Sequence, residues 1–135
     1  MHAMSRLMLA SALLGLVAAA RATEAQETAF AVALREAQGA TSTEPLKSYM
    51  AGPFGRTFGQ HYIDWLNECS QKTQQNAWDV DMLITIGAEG AVAEVRYEPR
   101  TPTTKCFAGL VKAEVFAPPP KPGLVVPASI RKPKK

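Results

Sequence analysis

Apolar side chains recur at helical spacing in the segment that follows Pro53. The stripe that they form, with a period of about 3.6 residues, consists of Phe54, Phe58, Tyr62, Trp65 and Cys69. Ile63 and Leu66 widen this stripe, and most of the remaining positions carry polar side chains. The one-sided pattern predicts an amphipathic helix with Cys69 on its buried side, near the end.

The next segment alternates between apolar and polar side chains. In its first run the apolar side chains occupy every second position: Trp78, Val80, Met82, Ile84 and Ile86. A turn follows at Gly87–Gly90. In the second run one face carries Ala91, Ala93, Val95 and Tyr97, and the other carries Val92, Glu94, Arg96 and Glu98. Two alternating runs around a short loop with glycine at both ends predict an antiparallel β-hairpin.

Weaker patterns precede the long helix. Thr23 to Gln38 places Phe30 and Leu34 at helical spacing and is followed by Gly39, which predicts a short amphipathic helix or a frayed arm. Thr41 to Pro53 is expected to be a connector with one possible helical turn around Leu46 and Tyr49.

A second helix is expected after the hairpin. Thr103 or Thr104 can cap it, and its predicted range is Lys105–Val115. The stripe that it would bury comprises Cys106, Leu110 and Ala113, with Phe107 and Val111 beside them.

The last predicted element is a short strand at Leu124–Ile130. Pro127 lies inside it, and proline cannot donate to a β-ladder, so this strand should lie at the edge of its sheet. The order of elements predicts an α+β fold, in which helices cover one face of a small antiparallel sheet made of the hairpin and this C-terminal edge strand.

The N-terminus has the three parts of a secretory signal peptide. Arg6 gives a positive start, Leu7 to Ala20 is an uncharged apolar run, and Ala20-Arg21-Ala22 offers small residues for cleavage. The run is shorter than the ~20 residues of a membrane span, so an uncleaved anchor is the minor alternative. We expect cleavage before Thr23 or, as a second choice, after Ala25, and export to the periplasm.

Four segments follow from these patterns: a signal peptide (1–22), a helical arm and connector (23–53), an α+β domain (54–130) and a basic tail (131–135). The whole chain has 15 basic and 12 acidic residues. Loss of Arg6 and Arg21 with the signal peptide lowers the formal net charge from +3 to +1. A nearly neutral body with a short basic tail does not fit a nucleic-acid binder, which needs a broad basic face.

Cys69 and Cys106 are the two cysteines of the chain, and both follow the signal peptide. An even number of cysteines in an exported chain favours a disulfide between them. The alternative is two free, buried thiols.

Residues with catalytic or ligand-binding chemistry are sparse. His61 and Cys69 are separated by ~12 Å along the predicted helix, too far for a nucleophile and its base. Short metal-ligand spacings are missing, and Asp79 and Asp81 fit a solvated strand face. We therefore expect no enzyme, no cofactor and no metal site. Trp65 and Trp78 are interpreted as core residues, and Pro118–Pro122 as a stiff connector rather than a polyproline ligand.

The ordered elements between His61 and Ile130 carry a family resemblance. They are a helix with Cys69, a strand at Val80–Ile86, the turn Gly90-Ala91-Val92, a helix near Cys106, the exit Phe116-Ala117-Pro118-Pro119 and a final strand. This set resembles the TonB-like C-terminal domain family, and within it the cysteine-bearing branch of myxobacterial gliding-motility proteins. The transmembrane anchor and long Pro-rich spacer of the energy-transducing members are not part of the pattern, so we expect no force transduction and no stable membrane anchor.

The resemblance implies a TonB C-terminal-domain-like fold and protein binding in the cell envelope. We expect a periplasmic interaction module that takes a partner's segment by strand addition, either on the apolar side of the hairpin or at the C-terminal strand. The residues expected to bind there are Leu124, Val125, Val126 and Ile130. The alternative is a small periplasmic inhibitor or immunity protein that blocks a wall-degrading or secreted toxic enzyme, and an enzyme is the third and least favoured reading.

Overall fold

The computed structural model describes residues 29–75 and 78–132. The expected signal peptide (1–22), its cleavage sites and the end of the basic tail (133–135) lie outside the described residues. The described residues from Leu34 onward belong to one compact unit. Residues 29–40 are helical (α1), as the spacing of Phe30 and Leu34 predicts for this part of the chain.

The segment expected to be a connector contains the helical turn predicted around Leu46 and Tyr49, and its helical backbone continues beyond that turn, which the sequence did not predict. Helix α2 spans Leu46–Tyr49, a π-helical turn follows at Met50–Phe54, and α3 spans Gly55–Thr73. Pro53 lies inside the π-helical turn. A proline ring clashes with the backbone of a regular α-helical turn, and a wider turn gives it room. Gly55 permits the resulting close approach, because a Cβ there would lie 2.6 Å from the carbonyl oxygen of Met50.

Helix α3 buries a narrower stripe than its sequence suggests. Phe54, Leu66 and Cys69 are buried, and Phe58, Tyr62 and Trp65 are half-buried against the same core. Ile63 does not join them, since 40% of it is exposed. The prediction that Ile63 widens the buried stripe is therefore wrong, whereas that for Leu66 is confirmed.

Three antiparallel strands form one sheet in the order β2-β1-β3, with β1 at Val80–Ile86, β2 at Val92–Glu98 and β3 at Leu124–Ile130. The predicted α+β fold is thus confirmed, with β3 at one edge of the sheet. The inward side chains of β1, all fully buried, are Val80, Met82, Ile84 and Ile86. They pack with α3 and the second long helix in one hydrophobic core.

A β-bulge corrects the predicted faces of β2. Thr85 pairs with Glu94, but the next residue, Ile86, pairs with Val92, so Ala93 is an extra residue in β2. A bulge of this kind shifts the alternation by one position. Val92 therefore joins Val95 and Tyr97 in the core, while Ala91 and Ala93 are exposed, contrary to the sequence prediction.

The hairpin turn requires glycine at Gly90. Its φ of +93° is unfavourable for other residues. A Cβ at this position would also overlap the carbonyl oxygen of Phe116. The amide of Phe116 donates to the carbonyl oxygen of Gly90 at 2.9 Å, so the chain leaving the second long helix is held against the turn.

The second long helix, α4, spans Pro102–Ala113 and begins three residues earlier than predicted. Thr101 is its N-cap and accepts a hydrogen bond from the amide of Thr104, whose hydroxyl in turn accepts from the amide of Thr101. Pro102 fits the first helical position because no N–H is needed there. The buried side chains of α4 are Thr103, Thr104, Phe107, Ala108 and Val111. Ala113 is exposed and Cys106 and Leu110 are half-buried, so the predicted stripe is rotated.

Candidate functional site

A disulfide joins Cys69 on α3 to Cys106 on α4, which confirms the predicted pair. The two Cα atoms are 5.6 Å apart, within the range that a bridge requires. Cys69 has no exposed surface, and Cys106 is half-buried. Because α3 and α4 pack on the same face of the sheet, the bond holds together the two helices that cover the core.

A pair of threonines links the same two helices beside the disulfide. The hydroxyls of Thr73 and Thr103 are 2.7 Å apart, and that of Thr73 also donates to the carbonyl oxygen of Cys69 at 2.8 Å. Thr103 is completely buried. A buried hydroxyl without a partner would be destabilising, so this hydrogen bond lets a polar residue occupy the interface between α3 and α4.

The disulfide sets the state of the two sulfur atoms. Both cysteines of the chain are oxidised, so neither supplies a nucleophilic thiolate in this state. His61 stacks on the ring of Trp65, with 5.4 Å between the ring centroids. In the described part of the chain, no group of three or more His, Cys, Asp and Glu side chains is placed to hold a metal ion.

The two tryptophans pack against the hydrophobic core, as predicted. The indole N–H of Trp78 donates to the hydroxyl of Ser70 at 2.9 Å, which satisfies the polar atom of a half-buried side chain. Trp65 lies edge-on to the ring of Phe107 at a centroid distance of 6.1 Å.

The side chains of β3 divide between the core and the surface, and this changes the predicted binding residues. Leu124, Val126 and Ile130 are buried in the core and cannot offer their side chains to a partner. Val125 is the predicted residue that remains accessible, with 37% of its surface exposed. The side chains on the apolar side of the hairpin likewise pack in the core with those of α3 and α4. Ser129, which the sequence prediction left out, is exposed.

The backbone N–H and C=O groups of β3 also alternate, pointing towards β1 at one residue and away from it at the next. Gly87 donates its N–H towards β2, to Ala91, at 2.8 Å. Because backbone groups in a strand point alternately to its two sides, the even-numbered residues of β1 direct theirs to β3. These residues pair with even-numbered partners in β3, and Leu83 pairs with Pro127. The outward backbone groups of β3 are therefore those of Val125, Pro127 and Ser129, and the proline occupies a position where no N–H is needed for the sheet.

Hydrogen bonds and an ion pair directly after the C-terminal end of β3 connect this part of the chain to β1 and to Asp79 before it. The guanidinium of Arg131 donates to a carboxylate oxygen of Asp81 at 2.8 Å and to the carbonyl oxygen of Val80 at 3.3 Å. The backbone N–H of Lys132 donates to a carboxylate oxygen of Asp79 at 2.7 Å. Asp79 and Asp81 lie at the surface, as expected for a solvated strand face, and both also bind the chain that leaves β3.

Comparisons with known proteins identify no relative of this chain. No family model matches the chain, and neither a curated protein nor a solved structure is significantly similar to it. Within residues 29–75 and 78–132, none of the helices has the length and apolar character needed to cross a bilayer.

Proposed function

We propose that this chain is an exported, non-catalytic protein-interaction module with a TonB-like fold, which binds a partner in the cell envelope. The partner contributes an extended segment that pairs with the outer edge of β3. Strand addition of this kind uses main-chain hydrogen bonds for affinity and side-chain pockets for specificity.

The observation that carries this proposal is the position of β3 at the edge of the sheet. Val125 and Ser129 direct N–H and C=O groups outward and are exposed, and Pro127 adds an outward C=O. An extended segment could therefore receive hydrogen bonds from two N–H groups of β3. The buried side chains of the same strand, the disulfide and the Arg131–Asp81 ion pair hold this edge in place.

Proline substitution at the two outward N–H groups tests the proposal. Val125→Pro and Ser129→Pro each remove one outward donor and leave the hydrogen bonds between β1 and β3 in place. Val125→Thr and Ser129→Thr are the matched controls, because they change the same side chains and keep the N–H. Each variant is used as bait with a periplasmic extract, after circular dichroism has shown that it is folded.

The wild type and both threonine variants should retain the same partner, and both proline variants should lose it. A partner that binds folded proline variants as well as it binds the wild type would refute strand addition at β3. A partner that proved to be a hydrolase or toxin, inhibited by the chain, would instead support the inhibitor or immunity function.

Export is part of the same proposal, and the disulfide supports it because such bonds persist in oxidising compartments. The processed protein from the periplasm should begin between Thr23 and Gln26 when its mass is measured. A chain that retains Met1 and sediments with membranes would contradict both the signal peptide and the periplasmic location.

A further inference from the structure

The edge strand β3 is uncharged along its length but has cationic residues at both ends. Lys121 precedes it, and Arg131 and Lys132 follow it directly. Lys121 and Lys132 are exposed, and neither takes part in an ion pair within the described part of the chain. In this part of the chain, neither ammonium group is neutralised by a carboxylate.

The acidic groups at this corner of the sheet are already engaged on the inner side of β3. Asp81 binds the guanidinium of Arg131, and Asp79 binds the backbone N–H of Lys132. Neither carboxylate forms an ion pair with the ammonium group of Lys121 or Lys132, so each end of β3 keeps one exposed lysine side chain that is unpaired among the described residues.

We propose that the segment received by β3 is an extended, acidic stretch of another protein, with carboxylates at both ends of an uncharged β-forming centre. This inference rests on the proposed strand addition and adds the chemistry of the partner. Its central residues would pair with Val125 and Ser129, and its terminal carboxylates would approach Lys121 at one end and Lys132 at the other. Complementary charge of this kind selects partners and accelerates encounter more than it adds affinity.

A second copy of this chain fits the same edge poorly. Antiparallel pairing of two β3 strands would bring Lys121 of one copy close to Lys132 of the other, and like charges across an interface are unfavourable. Such pairing centred on Pro127 would also place two prolines opposite each other, where neither could donate. The charges and the missing N–H therefore both favour a different, acidic chain.

Three synthetic peptides test this inference with the full disulfide-bonded protein. Each has an alternating Thr and Val centre and blocked ends, and the three differ only in carrying Glu, Gln or Lys pairs at both termini. Binding is followed by NMR at the amides of Val125 and Ser129 and repeated at higher salt. The variants are Lys121→Gln, Lys132→Gln and Val125→Pro, and Lys105→Gln on exposed α4 surface is the matched control.

The Glu peptide should bind most tightly and the Lys peptide least tightly, and added salt should reduce the difference. Each of the two lysine substitutions near β3 should weaken the Glu peptide by about two- to five-fold, and Lys105→Gln should leave it unchanged. Val125→Pro should abolish binding of all three peptides.

Any of four results would overturn the inference. If Val125→Pro abolishes binding but the three peptides bind equally, strand addition stands and the acidic preference is wrong. If the Glu peptide still binds Val125→Pro, or if no peptide binds at all, acidic segments do not enter this edge. If the protein sediments as a dimer that Val125→Pro converts to a monomer, the edge is occupied by a second copy.

Discussion

Loss of the Cys69–Cys106 bond is the perturbation whose effect can be calculated most directly. The bond joins residues 37 positions apart, and the chain-entropy relation for a loop of this length gives about 4 kcal/mol at room temperature. A domain of ~100 residues melts about 4–8 °C lower for each kcal/mol lost. Reduced protein should therefore melt roughly 15–30 °C below the oxidised form.

The structure indicates which substitutions isolate this effect. Cys106 is half-buried, so the hydroxyl in Cys106→Ser can find water. Cys69 has no exposed surface, and a serine there would bury a hydroxyl, which costs a further ~1–3 kcal/mol if it lacks a partner. The single variant Cys106→Ser and the double variant Cys69→Ala/Cys106→Ser should therefore melt within a few degrees of each other, whereas Cys69→Ser should melt lower.

Thermal unfolding followed by circular dichroism, with and without reductant, measures these differences. Reductant should lower the melting temperature of the wild type to about that of Cys106→Ser. It should not change the melting temperatures of the single-cysteine variants or of the cysteine-free double variant. If Cys106→Ser melted within a few degrees of the oxidised wild type, the entropic reasoning would be wrong. Two free thiols in the unfolded, unreduced protein would show that the bond does not form.

Three further outcomes are expected. Gly90→Ala should lower the free energy of unfolding by more than the ~1 kcal/mol of an ordinary glycine substitution, because the added Cβ would meet the carbonyl oxygen of Phe116. Urea unfolding measures this loss, with Gly109→Ala as the control. Equal effects of the two substitutions would contradict the prediction. Burial raises the pKa of Tyr49 above 10.0, so the folded state holds this proton more tightly, and the resulting stability is present below pH ~10 and lost above it. Tyr49→Phe, which also removes the hydrogen bond to Ala117, should have a flatter decline in stability above pH ~10, and an unchanged decline would refute this assignment. Amide hydrogen exchange should be slowest in β1, the central strand. Slower exchange in α1 than in β1 would contradict the prediction that the sheet is the most stable part of the fold.

The elements that the sequence predicts well are those with a long, regular pattern. The stripe from Phe54 to Cys69 extends over several helical turns, and one misplaced side chain, Ile63, does not obscure it. The sequence locates β1 and β3 correctly, because β1 lies at the centre of the sheet and β3 carries a proline that only an edge strand tolerates. Regular patterns reflect burial on one face, so they identify an element and its inner side together.

The features that the sequence could not predict depend on single residues or on distant pairing. The bulge at Ala93 reverses the predicted faces only for residues 91–93 of the chain, while Val95 and Tyr97 keep theirs. Alanine side chains at positions 91 and 93 are too small to indicate which side is buried. Pro53 normally indicates the end of a helix, and the π-helical turn around it left no distinct pattern. The ion pair between Asp81 and Arg131 joins residues 50 positions apart, and it can be inferred only when the register of β1 against β3 is known.

The candidate binding edge illustrates how the same residues can permit one partner and oppose others. An uncovered strand edge invites pairing with any extended chain, including other copies of the protein. In β3, Pro127 removes one of the outward N–H groups, and the cationic residues at both ends repel an identical strand. Val125 and Ser129 still direct their backbone groups outward, so the edge keeps the hydrogen bonds that a partner of opposite charge could use. Lysine and proline also protect strand edges that have no partner, so the three-peptide experiment distinguishes plain protection of this edge from the proposed selective binding.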